Sequence, residues 1–198
     1  YLTERQQPLC LRVATDLGSS LERGRLDISA HPFSTSLALG DARITTRYDR
    51  RNYFSALFGT IHETGHALYE LGFQEQHEGT PMAAAASFGI HESQSRLWEN
   101  HVGRSRGFSR YLHTLLRDYM PEEFARTTPE SLWYMSNPVR PTLIRVEADE
   151  VTYAQHIVVR MLLEEELLSG NLSIHDAPQR WRELYGQYLD VTPPDDKG

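Results

Sequence analysis

Apolar positions fall on helical spacing along most of the chain. From about Leu9 to Arg23 they recur every fourth residue, at Leu9, Val13, Leu17 and Leu21, which predicts a helix stopped by Gly24. A longer helical run spans Tyr53 to Leu71 and meets Gly72. After a polar loop from Gln74 to Pro81, helix is expected to resume near Phe88 and run to about Val102. Another covers Ser109 to Met120, and Pro121-Glu122-Glu123 opens a short one. Asn137-Pro138 and Pro141 mark a loop. Glu147 to Leu168 reads as a long helix ended by Ser169-Gly170-Asn171, and a last helix covers about Asp176 to Leu189. Strand alternation is clearest from Asp41 to Asp49, where Ala42, Ile44, Thr46 and Tyr48 alternate with Arg43, Thr45 and Arg47. Pro32 biases His31 away from helix, so His31-Pro32-Phe33 is an extended or turn element. The pattern predicts a mainly α fold with a small β-strand region near residues 41–49.

Composition narrows the classes. At about 150 residues per domain, a chain of 198 residues is one large domain or a little more, and residues 1–198 are read as a single domain. Hydrophobic residues are 39% and charged residues 24%, a globular rather than a disordered balance. A net charge of −7 argues against a broad nucleic-acid surface. No apolar run approaches the roughly 18 residues of a membrane span, and no secretory signal opens the chain. One cysteine, Cys10, rules out an internal disulfide and is compatible with a reducing cytoplasm. The chain begins at Tyr1 and ends just after Pro193-Pro194, which reads as a piece of a longer architecture.

His62-Glu63-Thr64-Gly65-His66 fits H-E-x-x-H inside the second helical run. Residues i and i+4 share a helix face, so both imidazoles can reach one ion. Glu63 stands beside that ion, where it can take a proton from water whose pKa zinc lowers from about 15.7 toward about 7. A catalytic zinc needs a third protein ligand and an open position. Glu92, on the returning helix 26 residues after His66, is the leading candidate. His91 is its neighbour but points about 100° away around the helix. Glu70, Glu75, Glu78 and Glu99 are rivals, though Glu70 belongs to the same helix as His66 and closes a tetrahedron poorly. Glu99 and Asp149 are candidate acceptors for ligand imidazole N–H groups. Ser93 and Ser95 have no evident partner base. Glu164-Glu165-Glu166 reads as a solvated helix face, the three tryptophans as packing, and His77, His101, His113, His156 and His175 as surface or satisfied core histidines.

Five strings occur in one order: His31-Pro32-Phe33, Asp41-Ala42-Arg43-Ile44-Thr45-Thr46, His62 to His66, His91 to Asn100, and Ile144-Arg145-Val146-Glu147-Ala148-Asp149. Together they resemble the carboxypeptidase Taq family of thermostable zinc metallocarboxypeptidases, from about Leu26 onward. The resemblance implies a helical, zincin-like (neurolysin-like) metallopeptidase core. It implies that His62, His66 and Glu92 hold zinc or cobalt, that Glu63 is the general base, and that Arg145 binds the substrate's C-terminal carboxylate. Arg can make two parallel hydrogen bonds to a carboxylate, which Lys cannot match; Arg43 is the second candidate for that role. His31 and Arg43 are similar to pocket residues of the family. A peptide with a free C-terminus is the implied partner, a homodimer the implied assembly and the cytoplasm the expected location, with no nucleic acid or membrane partner.

The family pattern continues past the Pro-Pro-Asp segment with a Gly-x-x-Gln-Asp-x-His-Trp motif, which residues 1–198 do not contain, and it has a long helical N-terminal part. The expectation is therefore a metal cage that folds within the chain but hydrolyses peptides poorly by itself. An oligopeptidase or endopeptidase on the same scaffold is the alternative, as is a truncated, non-catalytic metal-binding protein. Retention of Glu63 speaks against the latter, since structure alone needs no general base.

Overall fold

The first helix, α1 (Thr3–Asp16), stops well short of Arg23. In the computed structural model, which describes residues 3–20 and 22–195, Gly18 takes a φ of +112° just beyond it. The Gly18 N–H donates to the Thr15 carbonyl (3.0 Å) and the Ser19 N–H to the Ala14 carbonyl (2.9 Å). This is the two-bond closure of a Schellman motif, and it satisfies the carbonyls a longer helix would have used. The apolar spacing therefore outran the helix; Leu21, its last member, lies outside the described residues.

Gly24 opens a strand rather than ending a helix. Strands β1 (Gly24–Ile28), β2 (Ser34–Ala38) and β3 (Asp41–Thr46) form a sheet in the order β1-β3-β2, with β3 parallel to β1 and antiparallel to β2. A Cβ at position 24 would collide with the Ala42 carbonyl of β3, which is why glycine stands there. The central strand carries the buried positions Ala42, Ile44, Thr45 and Thr46, and it ends at Thr46, short of Asp49. Its edge partners are mostly exposed; β2 has no apolar alternation, and in β1 Leu26 and Ile28 alternate with Arg25 and Asp27 over too short a run to mark a strand.

The sheet packs on α2 (Tyr53–Leu71), whose bounds match the expected run. Leu57, Phe58 and Ile61 of α2 form one core with Leu9 and Val13 of α1 and with Phe108, Leu112, Leu115 and Leu116 of α4 (Arg106–Tyr119). Between them, α3 (Phe88–Arg96) runs into a π-helical turn at Leu97–Val102. Pro121-Glu122-Glu123 does not open a helix; turns continue to residue 126, and α5 (Pro129–Ser136) follows. Its start is set by Thr128 and Ser131, each accepting the other's backbone N–H at 2.8 and 3.1 Å.

Residues 1–136 form one compact unit and residues 137–198 a second. The second contains α6 (Tyr153–Leu168) and α7 (Ala177–Leu189), which share a core of Val159, Leu184, Tyr185 and Leu189. Of the acidic run, Glu164 and Glu165 are exposed, while Glu166 pairs with Arg180 of α7 at 2.7 Å. Helix α6 begins at Tyr153, not at Glu147, because Asp149 interrupts the run. Its Oδ1 accepts the Val151 and Thr152 N–H groups (both 2.9 Å), and its Oδ2 accepts the Arg140 N–H (3.0 Å) and the Thr152 hydroxyl (2.8 Å). Asp149 is therefore committed to its own backbone rather than to a ligand imidazole.

Burial pushes the Asp149 carboxyl up, but these hydrogen bonds outweigh it and hold the group below the usual range. A depressed carboxyl pKa stabilises the fold above the unfolded value, about 4, and the benefit is lost as pH falls through the folded value. Asp149→Asn puts an amide N–H₂ against the Arg140 N–H. It should destabilise the second unit by about 1–2 kcal/mol at neutral pH and flatten its acid dependence. Hydrogen exchange at the first turn of α6, compared between pH 7 and pH 3, measures both.

Candidate metal centre

Helices α2 and α3 meet at Gly65. A Cβ there would lie 2.7 Å from Ser95 Cα, 2.9 Å from the Gln94 carbonyl oxygen and 3.1 Å from Trp98 Cδ1. The first two contacts are with backbone, so no side chain larger than hydrogen fits without parting the helices. Ser95 completes the seam: it is fully buried and its hydroxyl turns back onto the Glu92 carbonyl at 2.7 Å. Gly65 lies between His62 and His66, so this close approach carries Glu92 over both imidazoles.

Glu92 Oε2 stands 3.3 Å from His66 Nε2 and 3.6 Å from His62 Nε2. The three donor atoms all lie within 4.8 Å of one another. Bonds of about 2.0–2.1 Å in a tetrahedron put ligand atoms about 3.4 Å apart, so two nitrogens and one carboxylate oxygen at these separations fit a divalent ion. Among the described residues this is the sole group of three or more His, Cys, Asp or Glu side chains so disposed.

The surroundings orient the donors. The outer nitrogen of His62, Nδ1, donates to Glu99 Oε2 at 2.8 Å. Glu99, on the π-helical turn, also receives Arg96 (3.0 Å) and Arg104 (3.4 Å). Arg96 reaches back to Glu92 Oε1 at 3.1 Å and so ties the two carboxylates together. Burial pushes Glu92 and Glu99 up, but His62 and Arg96, with His66 at Glu92 and Arg104 at Glu99, outweigh it and hold both carboxyls low. Burial pushes His62 down, but Glu92 and Glu99 overcome it and leave the imidazole at about 9. Glu63 is 6% exposed and behaves differently: burial raises its pKa against the opposing charges of His62 and His66.

Of the rival ligands, Glu75 and Glu78 are exposed, Glu99 serves His62, and Glu70 Oε1 lies 2.7 Å from His91 Nε2. From the sequence, Glu70 is weighed only as a rival ligand and His91 only as the neighbour of Glu92, and nothing is assigned to Arg96 and Arg104; the spacing of Glu92 and Arg96 at i, i+4 is the one signal for the latter pair. His31 is exposed in the connection between β1 and β2. Arg43, on β3, gives its Nε and NH2 to Asp41 at 3.0 and 2.8 Å. Arg145 belongs to the second unit, where its NH1 donates to the Tyr153 hydroxyl at 2.6 Å.

Comparison with known proteins adds the following. The profile of the Carboxypeptidase Taq (M32) metallopeptidases matches residues 1–198. The chain is 47% identical over 197 residues to thermostable carboxypeptidase 1 of Thermus thermophilus, covering 100% of this chain and 38% of that protein. It is 42% identical over 193 residues to carboxypeptidase 1 of Bacillus subtilis, covering 98% of this chain and again 38% of the relative. The chain thus spans well under half the length of these relatives. An M32 carboxypeptidase from Deinococcus radiodurans R1 superposes with a TM-score of 0.96 at 44% identity over 99% of this chain and 39% of that one. A Pyrococcus furiosus carboxypeptidase does so with a TM-score of 0.94 at 41% identity over 98% and 39%.

A protonated imidazole cannot bind a metal ion, so with His62 at about 9 an ion taken up at pH 7 must displace its proton. Glu92 is already ionised there. Metal affinity should therefore rise about tenfold per pH unit up to pH 9 and level off above it. Calorimetric titration with Zn²⁺ in buffers of different ionisation enthalpy should report about one proton released per ion at pH 7. No proton release would contradict the raised His62.

Proposed function

The chain belongs to the Carboxypeptidase Taq (M32) metallopeptidase family, and from that premise we propose that it carries the metal-holding and proton-transfer part of a hydrolase that removes C-terminal amino acids from peptides. One observation carries the reading: His62, His66 and Glu92 converge with donor atoms within 4.8 Å, with buried Glu63 between the two histidines in sequence. The names of the relatives, carboxypeptidases all, support the same chemistry. His62, His66 and Glu92 would hold a divalent ion, zinc or cobalt, which when bound would supply Lewis acidity toward the peptide carbonyl and activate the attacking water.

Glu63 takes a proton from that water as its oxygen bonds to the carbonyl carbon. It returns the proton to the amine as the C–N bond breaks. A carboxylate raised by burial is a stronger base than one in water, which suits both transfers. Arg145 holds the substrate's terminal carboxylate. Among the described residues it makes no ion pair, whereas the fork of Arg43 is already closed on Asp41. Tyr153 orients the Arg145 guanidinium through the bond to NH1, and His31, exposed in the first unit, is a further candidate for contact with substrate. The same reading takes a homodimer as the assembly and the cytoplasm as the location. Cys10, buried with its thiol pushed up to about 12, offers no competing nucleophile.

The tests use a full-length family member carrying this 198-residue segment, with Zn²⁺ or Co²⁺ added and products identified by mass. Single C-terminal residues should be released, and peptides with amidated C-termini should resist; internal cleavage of amidated peptides would favour an endopeptidase. Glu63→Gln should keep the metal and lower turnover by about 10²–10⁴-fold, and a loss under tenfold would remove it as the base. Arg145→Ala should weaken use of free C-terminal peptides by about 10–100-fold, the size of a lost charge-assisted pair, while leaving residual cleavage of amidated analogues unchanged. Equal losses on both would remove the clamp.

A further inference from the structure

We propose that His91 is a positioning residue for the metal centre, fixing the tautomer of His66 and passing to it the charge of Glu70. The proposal rests on the ligand reading above. His66 has two ring nitrogens, and Nε2 faces Glu92 Oε2 at 3.3 Å. If Nε2 gives its lone pair to a metal, Nδ1 must carry the proton. His66 Nδ1 lies 2.5 Å from His91 Nδ1. Two N–H groups cannot point at each other, so His91 Nδ1 is the acceptor and His91 carries its own proton on Nε2. That nitrogen lies 2.7 Å from Glu70 Oε1, a carboxylate ready to accept it. With a metal on His66 Nε2, these hydrogen bonds admit one pattern from end to end: His66 donates to His91, and His91 donates to Glu70.

The two ligand imidazoles are thus held in different ways. His62 donates directly to Glu99, whose charge is shared with Arg96 and Arg104. His66 reaches a carboxylate only through a second imidazole. Glu70 is one helical turn beyond His66 on α2, so α2 holds both ends of the chain while α3 delivers the middle. Tyr69 packs edge-on against the His91 ring with centroids 5.4 Å apart, and the His91 and His66 rings lie 34° from parallel with centroids at 4.5 Å. His91 is not a fourth ligand, because its Nδ1 meets the outer nitrogen of His66 rather than the side that faces Glu92 and His62.

Zn²⁺ affinity of the 198-residue chain, measured by competition with a chromophoric chelator, tests the proposal. His91→Phe keeps the ring volume and removes the acceptor; the dissociation constant should rise about 10–100-fold, as for other partners of metal-bound imidazoles. His91→Asn places a carbonyl oxygen where Nδ1 stands and should recover most of that loss, whereas a purely space-filling role would favour Phe over Asn. Glu70→Gln leaves an acceptor but no charge and should fall between wild type and His91→Phe. Imidazole ¹⁵N shifts of the Zn²⁺-loaded wild-type chain need no variant to fold: His91 must be the Nε2–H tautomer and His66 the Nδ1–H tautomer. An Nδ1–H tautomer at His91, or His91→Phe within threefold of wild type while Glu92→Ala loses the metal, overturns the positioning role alone. A wild-type chain that binds no Zn²⁺, or Glu92→Ala with undiminished affinity, overturns the ligand reading and this proposal with it.

Discussion

The close approach of α2 and α3 at Gly65 is the constraint on which the site depends. A metal ion demands donors about 2 Å away, and a glutamate side chain has only a few bonds of reach. The helix bearing Glu92 must therefore run almost in backbone contact with the helix bearing His62 and His66. A methyl group at position 65 would meet Ser95 Cα and the Gln94 carbonyl, neither of which can rotate aside. The helices would have to separate, and every donor distance across the seam would lengthen with them. The same economy recurs where the π-helical turn ends. A Cβ on Gly103 would sit 2.7 Å from the Glu99 carbonyl oxygen and 3.3 Å from Ile61 Cδ1, so the segment carrying Glu99 also packs closely on α2.

Charge is distributed around this seam unevenly. Glu63, Glu92 and Glu99 all pay a burial cost, which acts to raise each pKa. Arg96 bonds to both Glu92 and Glu99, and Arg104 adds a second cation at Glu99. Arg104 is itself held by the Asn100 side chain, by the Ser136 carbonyl and by the face of Phe58 4.1 Å away. Pairing wins over burial at those two carboxylates and keeps them ionised. Burial wins at Glu63, which has the histidines nearby but no arginine among the causes of its shift. One cluster thus holds two carboxylates as fixed charges and leaves a third readier to take a proton, the division that the proposed acid–base chemistry needs.

Much of this was legible in the chain, and each failure has a physical cause. The i, i+4 histidines, the bounds of α2 and the return of Glu92 follow from helical geometry, which a sequence states directly. The overrun of α1 came from reading apolar spacing without the positive φ of Gly18. The false start of α6 came from counting Asp149 as a helical residue when its carboxylate gathers four donors outside the helix. Both are local end signals, a left-handed glycine in one case and a side-chain cap in the other, that override a hydrophobic period. Strand β2 was illegible because its pairing with β3, not a buried face of its own, makes it a strand, and β1 turns only Leu26 onto the core, too little to read from the chain. His91 shows a different limit. A rotation of about 100° from Glu92 keeps it from the same point in space, but not from the same neighbouring helix. It leaves one point of α2 and arrives at another.

The string from Ile144 to Asp149 divides in the same manner between chemistry and architecture. Asp149 closes the loop that launches α6, and Tyr153, the first residue of that helix, donates its N–H to the Asp149 carbonyl at 2.9 Å. The Tyr153 hydroxyl in turn receives Arg145 NH1, and its ring lies 5.7 Å from the guanidinium carbon. Asp149 therefore sets the start of the helix that carries the tyrosine, and the tyrosine orients the arginine. Arg145 sits on a single 3₁₀ turn, Arg145–Glu147, too short to be rigid unaided. Its fixed direction comes from Tyr153 rather than from a carboxylate partner, and that difference matters chemically. A guanidinium oriented by a neutral hydroxyl gives up no carboxylate when it meets an anion, whereas Arg43 would first have to part from Asp41.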